Sequence, residues 1–278
     1  MNRNFPALWL FMRFLFCIPI LFVVSCNDDD IPEPYQPVTN LPKIRQLEFV
    51  SGTDSSIFIF DTDMVLISGR SNKPGFGYEW FTMQYSEKGQ LTGAEYNTAS
   101  SSGGHRDFYQ VTYSRNNRNM LSGLSREGWT KTFSFAYDDS YRLNRITLTE
   151  GKSVIRHTVE YDEQSNVLSV ETYKNTPSDS YEKSVCSGYD DKRNPFRFLV
   201  NVFFAPYFSS NSGVIFFDNI PPGMLLSRNN PGQIKQYIKN GEEWTETGTA
   251  VFHRENHNED GFPTQIDGDL SMEIRYLK

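Results

Sequence analysis

Apolar and polar residues alternate along most of this chain with a period of two, and the same short reversal interrupts the alternation again and again. Phe133, Phe135 and Tyr137 fall on one face of a strand, with Thr132, Ser134 and Ala136 on the other. Tyr109, Val111 and Tyr113 repeat the pattern, as do Ile155, His157, Val159 and Tyr161. Each run ends in an aromatic residue, usually followed by Asp and a polar turn. An aliphatic residue then stands six positions after the aromatic, often with another three later. The copies are Phe60-Asp61 with Leu66, Tyr85-Ser86 with Leu91 and Ala94, Tyr137-Asp138 with Leu143 and Ile146, and Tyr161-Asp162 with Val167 and Val170. Looser copies start at Tyr113 and Tyr189. Recurrence every 24 to 28 residues marks one supersecondary unit used repeatedly.

Each copy reads as a β-hairpin. The Asp after the aromatic can accept hydrogen bonds from backbone N–H groups one or two residues on, which closes the turn locally. Four residues after the aromatic stands Gly89 in one copy, where positive φ costs nothing, but Tyr141 and Ser165 in others, so the expectation is that turn geometry varies. After the turn the chain resumes as a strand, for example Arg145 to Thr149, and a reversal such as Glu150-Gly151-Lys152 leads to the next copy. The predicted fold is all-β. An antiparallel up-and-down meander of repeated hairpins forms a strongly curved sheet, a half-barrel or a barrel.

From Asn194 to Leu226 the rhythm breaks. Residues 195–217 form an aromatic-rich insertion that includes Phe198, Phe203, Phe204 and Tyr207. Phe196, Leu199, Val200 and Phe203 match helical spacing, which predicts a short helix bounded by Pro195 and Pro206, with a strand as the alternative over so few residues. Two roles follow: a core plug that covers the apolar face of the sheet, which is favoured, or a lid over an apolar ligand cavity. Phe198, Phe203, Phe204 and Tyr207, with Trp80 and Trp129, are the candidate ligand contacts. Trp80, Trp129 and Trp244 would suit a sugar-stacking platform, although aromatic-rich strands account for them equally well.

The first 25 residues stand apart. Arg3 and Arg13 precede an apolar run from Phe14 to Val24, the length of a signal-peptide core and short for a membrane span. Val23-Val24-Ser25-Cys26 resembles the lipobox of bacterial lipoproteins, which makes Cys26 the lipidated N-terminus of the mature chain; an uncleaved signal anchor is the alternative. Several acyl chains on one residue meet the two-signal requirement for stable attachment. The run Asn27 to Asp30 resembles the signal that sends Bacteroidota-type lipoproteins to the outer face of the outer membrane, against the plainer reading of a solvated spacer. Surface display is therefore favoured over the periplasmic face. Residues 26–40 form an acidic, Pro-rich tether, and 41–278 a single all-β domain. Loss of residues 1–25 removes two cations and no acid, leaving a formal charge of −9, so nucleic acid is not an expected partner. Cys186 has no partner in the mature chain and reads as a buried thiol.

No catalytic motif stands out, and neither a cofactor nor a metal is implied. His253 and His257 with Glu259 and Asp260 fall in a stretch whose Asn256, Asn258 and Gly261 argue for a turn rather than a ligand helix. Asp61-Thr62-Asp63 reads as a cassette turn rather than a calcium loop, and His157 as a core histidine. The expectation is a non-catalytic binding or structural module for a glycan, an apolar ligand or a partner protein. The alternative is a hydrolase using scattered carboxylates such as Glu160 and Glu171, although alternation places Glu160 toward water.

The Tyr-Asp turns, Tyr189 to Phe196, Leu226 to Ile234 and the closing Asp260-Gly261-Phe262-Pro263-Thr264-Gln265-Ile266 together resemble a bacterial lipoprotein domain family of porin-like fold and unknown function. The resemblance runs from about residue 43 onward. It implies a curved antiparallel sheet or barrel and brings no activity. It does not imply a channel, because the reversals are long and polar and a lipid anchor would be redundant on a membrane-spanning barrel.

Overall fold

The computed structural model describes residues 44–63, 65–73, 77–99, 106–128, 130–175, 178–199, 222–254, 256–269 and 271–278. The chain divides into Met1–Ile31 and Pro32–Lys278, and every described residue belongs to the second unit. The signal, Cys26 and the tether lie outside the described residues.

Among the described residues sixteen strands follow in chain order. They are β1 (Gln46–Ser51), β2 (Asp54–Phe60), β3 (Leu66–Lys73), β4 (Gly77–Tyr85), β5 (Leu91–Ala99), β6 (Arg106–Arg115), β7 (Leu121–Arg126) and β8 (Lys131–Tyr137). After them come β9 (Leu143–Glu150), β10 (Ser153–Tyr161), β11 (Val167–Asn175), β12 (Asp179–Ser187), β13 (Gln233–Asn240), β14 (Glu243–His253), β15 (Gln265–Gly268) and β16 (Met272–Leu277). Each pairs antiparallel with its chain neighbour, and β1 also pairs with β16, so the predicted meander closes into a barrel. Closure leaves no free edge among the described strands.

One face of the strands is buried nearly everywhere: Leu47, Phe49, Phe58, Phe81, Tyr96, Val111, Leu124, Phe133, Ile146, Val159, Val170 and Ile274. The alternate residues, among them Gln110, Ser134, Arg145, Arg156, Glu160, Glu273 and Arg275, are exposed. Among the described residues no second layer of secondary structure lies over the strands apart from two short turns near the β12–β13 connection. The enclosed apolar face is therefore the inner wall and the polar face the outer wall. A lipid-embedded barrel needs the reverse, an apolar belt outside.

The repeated reversal has one geometry throughout. Asp61, Asn116, Asp138 and Asn258 each use Oδ1 to accept two backbone N–H groups, two and four residues on, at 2.8–3.0 Å. Asp162 accepts that of Asn166 at 2.7 Å. The third residue after this cap has positive φ in five copies: Gly89 74°, Asn119 61°, Tyr141 61°, Ser165 66° and Gly261 79°. The expectation of varied turns is corrected here. The bonds to Asx or Ser86 fix the backbone, and Tyr141 and Ser165 accept a conformation that suits glycine. The copy assigned to Tyr113 starts instead at Arg115, which pairs with Leu121, and a further copy starts at His257, which bridges Pro263. A β-bulge follows the turn in five of the hairpins. Tyrosine hydroxyls then join one copy to the next: Tyr85 donates to Leu66 O at 2.6 Å, Tyr161 to Leu143 O at 2.8 Å, Tyr189 to Val167 O at 2.6 Å and Tyr276 to Pro263 O at 2.7 Å. These phenols are largely buried, and burial pushes their pKa well above the usual tyrosine range.

Candidate functional site

The insertion enters through one of these reversals. Asp190 N donates to Asn230 O at 3.2 Å, and Asp190 Oδ1 accepts from Lys192 N at 3.0 Å and Asn230 N at 3.1 Å. In a regular copy Asp138 makes the same bonds with Ser140 and Arg142. Asn230 therefore stands where the fourth residue after the cap belongs. The chain between is spliced into an otherwise ordinary turn.

Both ends of the splice are built into the barrel. Asn194, itself buried, donates from Nδ2 to Met224 O at 2.6 Å and Ser227 O at 2.9 Å, and its Oδ1 accepts from Phe196 N at 3.0 Å. One side chain thus caps the 3₁₀ turn Pro195–Leu199 and ties it to the short helix Pro222–Leu226. Phe196 and Leu199, three apart, are both fully buried, as their spacing predicts, and Phe196 stacks on Phe49 of the inner wall with ring centroids 5.2 Å apart. Ser227 Oγ donates to Gly223 O at 2.6 Å and accepts from Val167 N at 3.1 Å. Gly223 lies so close to Cys186 that an added Cβ would meet Sγ at 2.4 Å. The return limb is sewn to the neighbouring turn through Asn229 N to Asn166 Oδ1 at 2.8 Å and Arg228 N to Ser165 O at 3.1 Å. The described parts of the insertion are core. Cys186 is buried, and burial pushes its thiol up to about 11, which suits packing rather than nucleophilic chemistry. Arg254 donates to Pro231 O at 2.7 Å beneath the splice, and burial lowers its pKa to about 10.

Of the six candidate ligand residues, Trp80 alone is described with its side chain. Phe203, Phe204, Tyr207 and Trp129 lie outside the described residues, and Phe198 is described in its backbone alone. Trp80 is on the outer wall of β4, across the sheet from the insertion, where it pairs with Arg70 and Asn97 and is 39% exposed. Trp244 is on the outer wall of β14, so Trp80 and Trp244 do not share a platform. His157 is on the inner wall, its Nδ1 2.9 Å from Thr172 Oγ1, and burial lowers its pKa to about 4. Glu160 and Glu171 stand on the open outer wall, held by Ser169 at 2.8 Å and Lys183 at 2.7 Å. His257 occupies the aromatic position of a cassette, and among the described residues no group of three or more His, Cys, Asp or Glu is placed to hold a metal ion.

Sequence reading missed Asn194, Ser227 and Asn230 as the clamp of the insertion. The signal was present in Asn194-Pro195-Phe196 and Asn229-Asn230-Pro231, where short polar caps precede prolines, but these partners lie thirty to forty residues away in sequence.

No family model and no curated protein matches the chain. Among solved structures it is similar to a porin-like protein from Bacteroides uniformis, at 12% identity and a TM-score of 0.43, covering 84% of this chain and 96% of that one. It is also similar to a porin-like protein from Bacteroides vulgatus, at 13% identity and a TM-score of 0.36, covering 84% and 97%.

Proposed function

We propose that the chain is an outer-membrane lipoprotein held by lipid on Cys26, whose barrel stays in water as a non-catalytic binding or structural module for a glycan, an apolar ligand or a partner protein. The observation that carries this reading is the polarity of the wall: the inner face is mainly aromatic and aliphatic, with His157, Lys174 and Glu182 as polar exceptions, and the outer face is mainly charged and polar, with aromatics such as Trp80, Phe108 and Trp244 set among them. Such a barrel has no belt to lend to lipid, so attachment falls to the N-terminal cysteine and its acyl chains. The buried apolar inner wall beside Phe196 and Leu199 favours binding on outer surfaces over passage through the lumen.

Metabolic labelling with an alkyne fatty acid tests the anchor. The wild-type chain should be labelled and sediment with membranes through a carbonate wash, and Cys26→Ser should lose the label and appear in the wash. Sedimentation that survives the substitution would overturn the reading. Protease added to intact cells should remove the protein without lysis if it is displayed on the surface.

A further inference from the structure

The half of the outer wall farthest from the Asx turns carries a row of aromatic and basic side chains that no sequence spacing announces. Arg156 on β10 pairs with Tyr173 on β11, and Tyr173 with Tyr181 on β12. The two tyrosine rings are 5.1 Å apart. Lys239 on β13 reaches over Tyr181 at 5.6 Å and pairs with Trp244 on β14. Lys183, one row below, approaches the Trp244 ring at 5.9 Å, and Arg156 the Tyr173 ring at 5.7 Å. Tyr181 is 43% exposed and Trp244 36%.

The row crosses five strands, a length of roughly 19 Å at ~4.8 Å per strand. That suits a short oligosaccharide better than a single sugar. It lies on the rim opposite the one where the chain enters the sheet, since Arg45 O accepts from Phe60 N beside the first Asx turn.

Local charge decides the class of ligand. Arg156, Lys183, Lys235 and Lys239 are matched by Glu171, Asp179, Glu242 and Glu246, most of them in direct contact. Four cations against four carboxylates leave no net field for a polyanion, which argues against nucleic acid and acidic glycans alike. A protein partner would need a contiguous apolar patch with few charges at its centre, whereas here Lys239 stands between the tyrosine pair and Trp244 and Arg156 flanks the pair on its other side. A neutral sugar chain fits both features. Each pyranose offers an apolar C–H face for a ring, and hydroxyls that donate to carboxylates and accept from ammonium and guanidinium groups.

Resting on the reading of the chain as a binding module, we propose that Tyr173, Tyr181 and Trp244, with Arg156 and Lys239, form a stacking platform for a neutral polysaccharide. The test uses the full-length protein in an amine-oxide detergent, chosen because it carries no sugar headgroup. Neutral hexasaccharides of β-1,4-linked glucose, mannose and xylose are the probes, followed by calorimetry and tryptophan fluorescence. At least one should bind saturably, with affinity indifferent to salt, and Trp244→Ala and Tyr181→Ala should each weaken it about tenfold, a loss of about 1.4 kcal/mol. Trp80→Ala, on another part of the wall, should leave it unchanged. Both platform side chains are exposed, so circular dichroism should show the variants folded. The proposal falls if no neutral hexasaccharide binds, if only polyuronate binds and salt abolishes it, or if Trp80→Ala is the damaging change. Cys26→Ser should still bind the sugar, so a failed anchor leaves the platform standing, while a lipid-labelled protein that ignores every sugar removes the platform alone.

Discussion

Asp138 and Asp190 open the same reversal, yet after one the chain re-enters the sheet four residues on, and after the other it does so forty residues on. Both use the same bonds between cap and returning residue. The comparison teaches that the cap specifies where a turn closes and leaves its length free. Lengthening a loop tenfold costs only roughly 2 kcal/mol in closure entropy. Burial of Phe196, Leu199, Met224 and Leu225, at roughly 1.5–3 kcal/mol for each large side chain, exceeds that cost before the ordering of the added residues is counted. The interrupted turn is therefore held by its packing as well as its cap, whereas the regular turns are held mainly by caps and strands.

The substitution with the largest expected effect attacks that packing. Phe196→Ala removes a ring stacked on Phe49 and should cost about 3–5 kcal/mol in chemical denaturation, as a single shifted transition of the whole barrel. If the transition stays put and only protease sensitivity within the insertion rises, the splice is an appendage and the comparison breaks.

Next in size is the clamp. Asn194→Ala leaves Met224 O, Ser227 O and Phe196 N without their partner in a buried place and should cost about 2–3 kcal/mol. Asp138→Ala, at a half-exposed regular turn where Arg142 also pairs with the carboxylate at 2.7 Å, should cost less, about 1 kcal/mol. Equal losses would mean that the two kinds of turn are held alike.

The links between copies come next. Tyr161→Phe gives up one hydrogen bond to Leu143 O and should cost about 1 kcal/mol. Because burial raises the pKa of the Tyr85, Tyr161, Tyr189 and Tyr276 phenols, the folded state holds its protons while the unfolded chain releases them. Stability is thus intact below pH ~10 and falls as pH rises beyond it, and Tyr161→Phe should make that fall shallower in melts recorded against pH.

The regular region was largely legible in the sequence and the interrupted one was not, for a physical reason. Alternation and Asx capping act over two to five residues, so Phe133 to Tyr137 and Asp138 announced a strand and a turn without reference to anything distant. Arg115 and His257 escaped because the aromatic was taken as the marker, when the cap Asn and the residue three later define the bend. The clamp by Asn194 and the row from Arg156 to Trp244 depend on pairings across many residues or several strands, and register is not written in any one segment.

The smallest expected effect tests the uniformity of the regular turns most directly. Ser165 holds φ at 66° and Gly89 holds 74° at the same place in their reversals. A serine in the left-handed region is strained by roughly 1–2 kcal/mol, while a glycine loses roughly 0.5–1 kcal/mol more chain entropy on folding, so Ser165→Gly should gain several tenths of a kcal/mol. Gly89→Ser should lose about as much, since a Cβ there meets nothing within 4 Å and only the backbone term remains. Tyr141→Gly should gain less, because the Tyr141 ring lies under Arg118 at 5.7 Å and that contact disappears with it. Opposite signs of similar size for Ser165→Gly and Gly89→Ser, measured by denaturation in the same buffer, are what one backbone geometry shared by both turns requires. Gains or losses of the same sign would mean that residue identity, and not the cap, sets the bend.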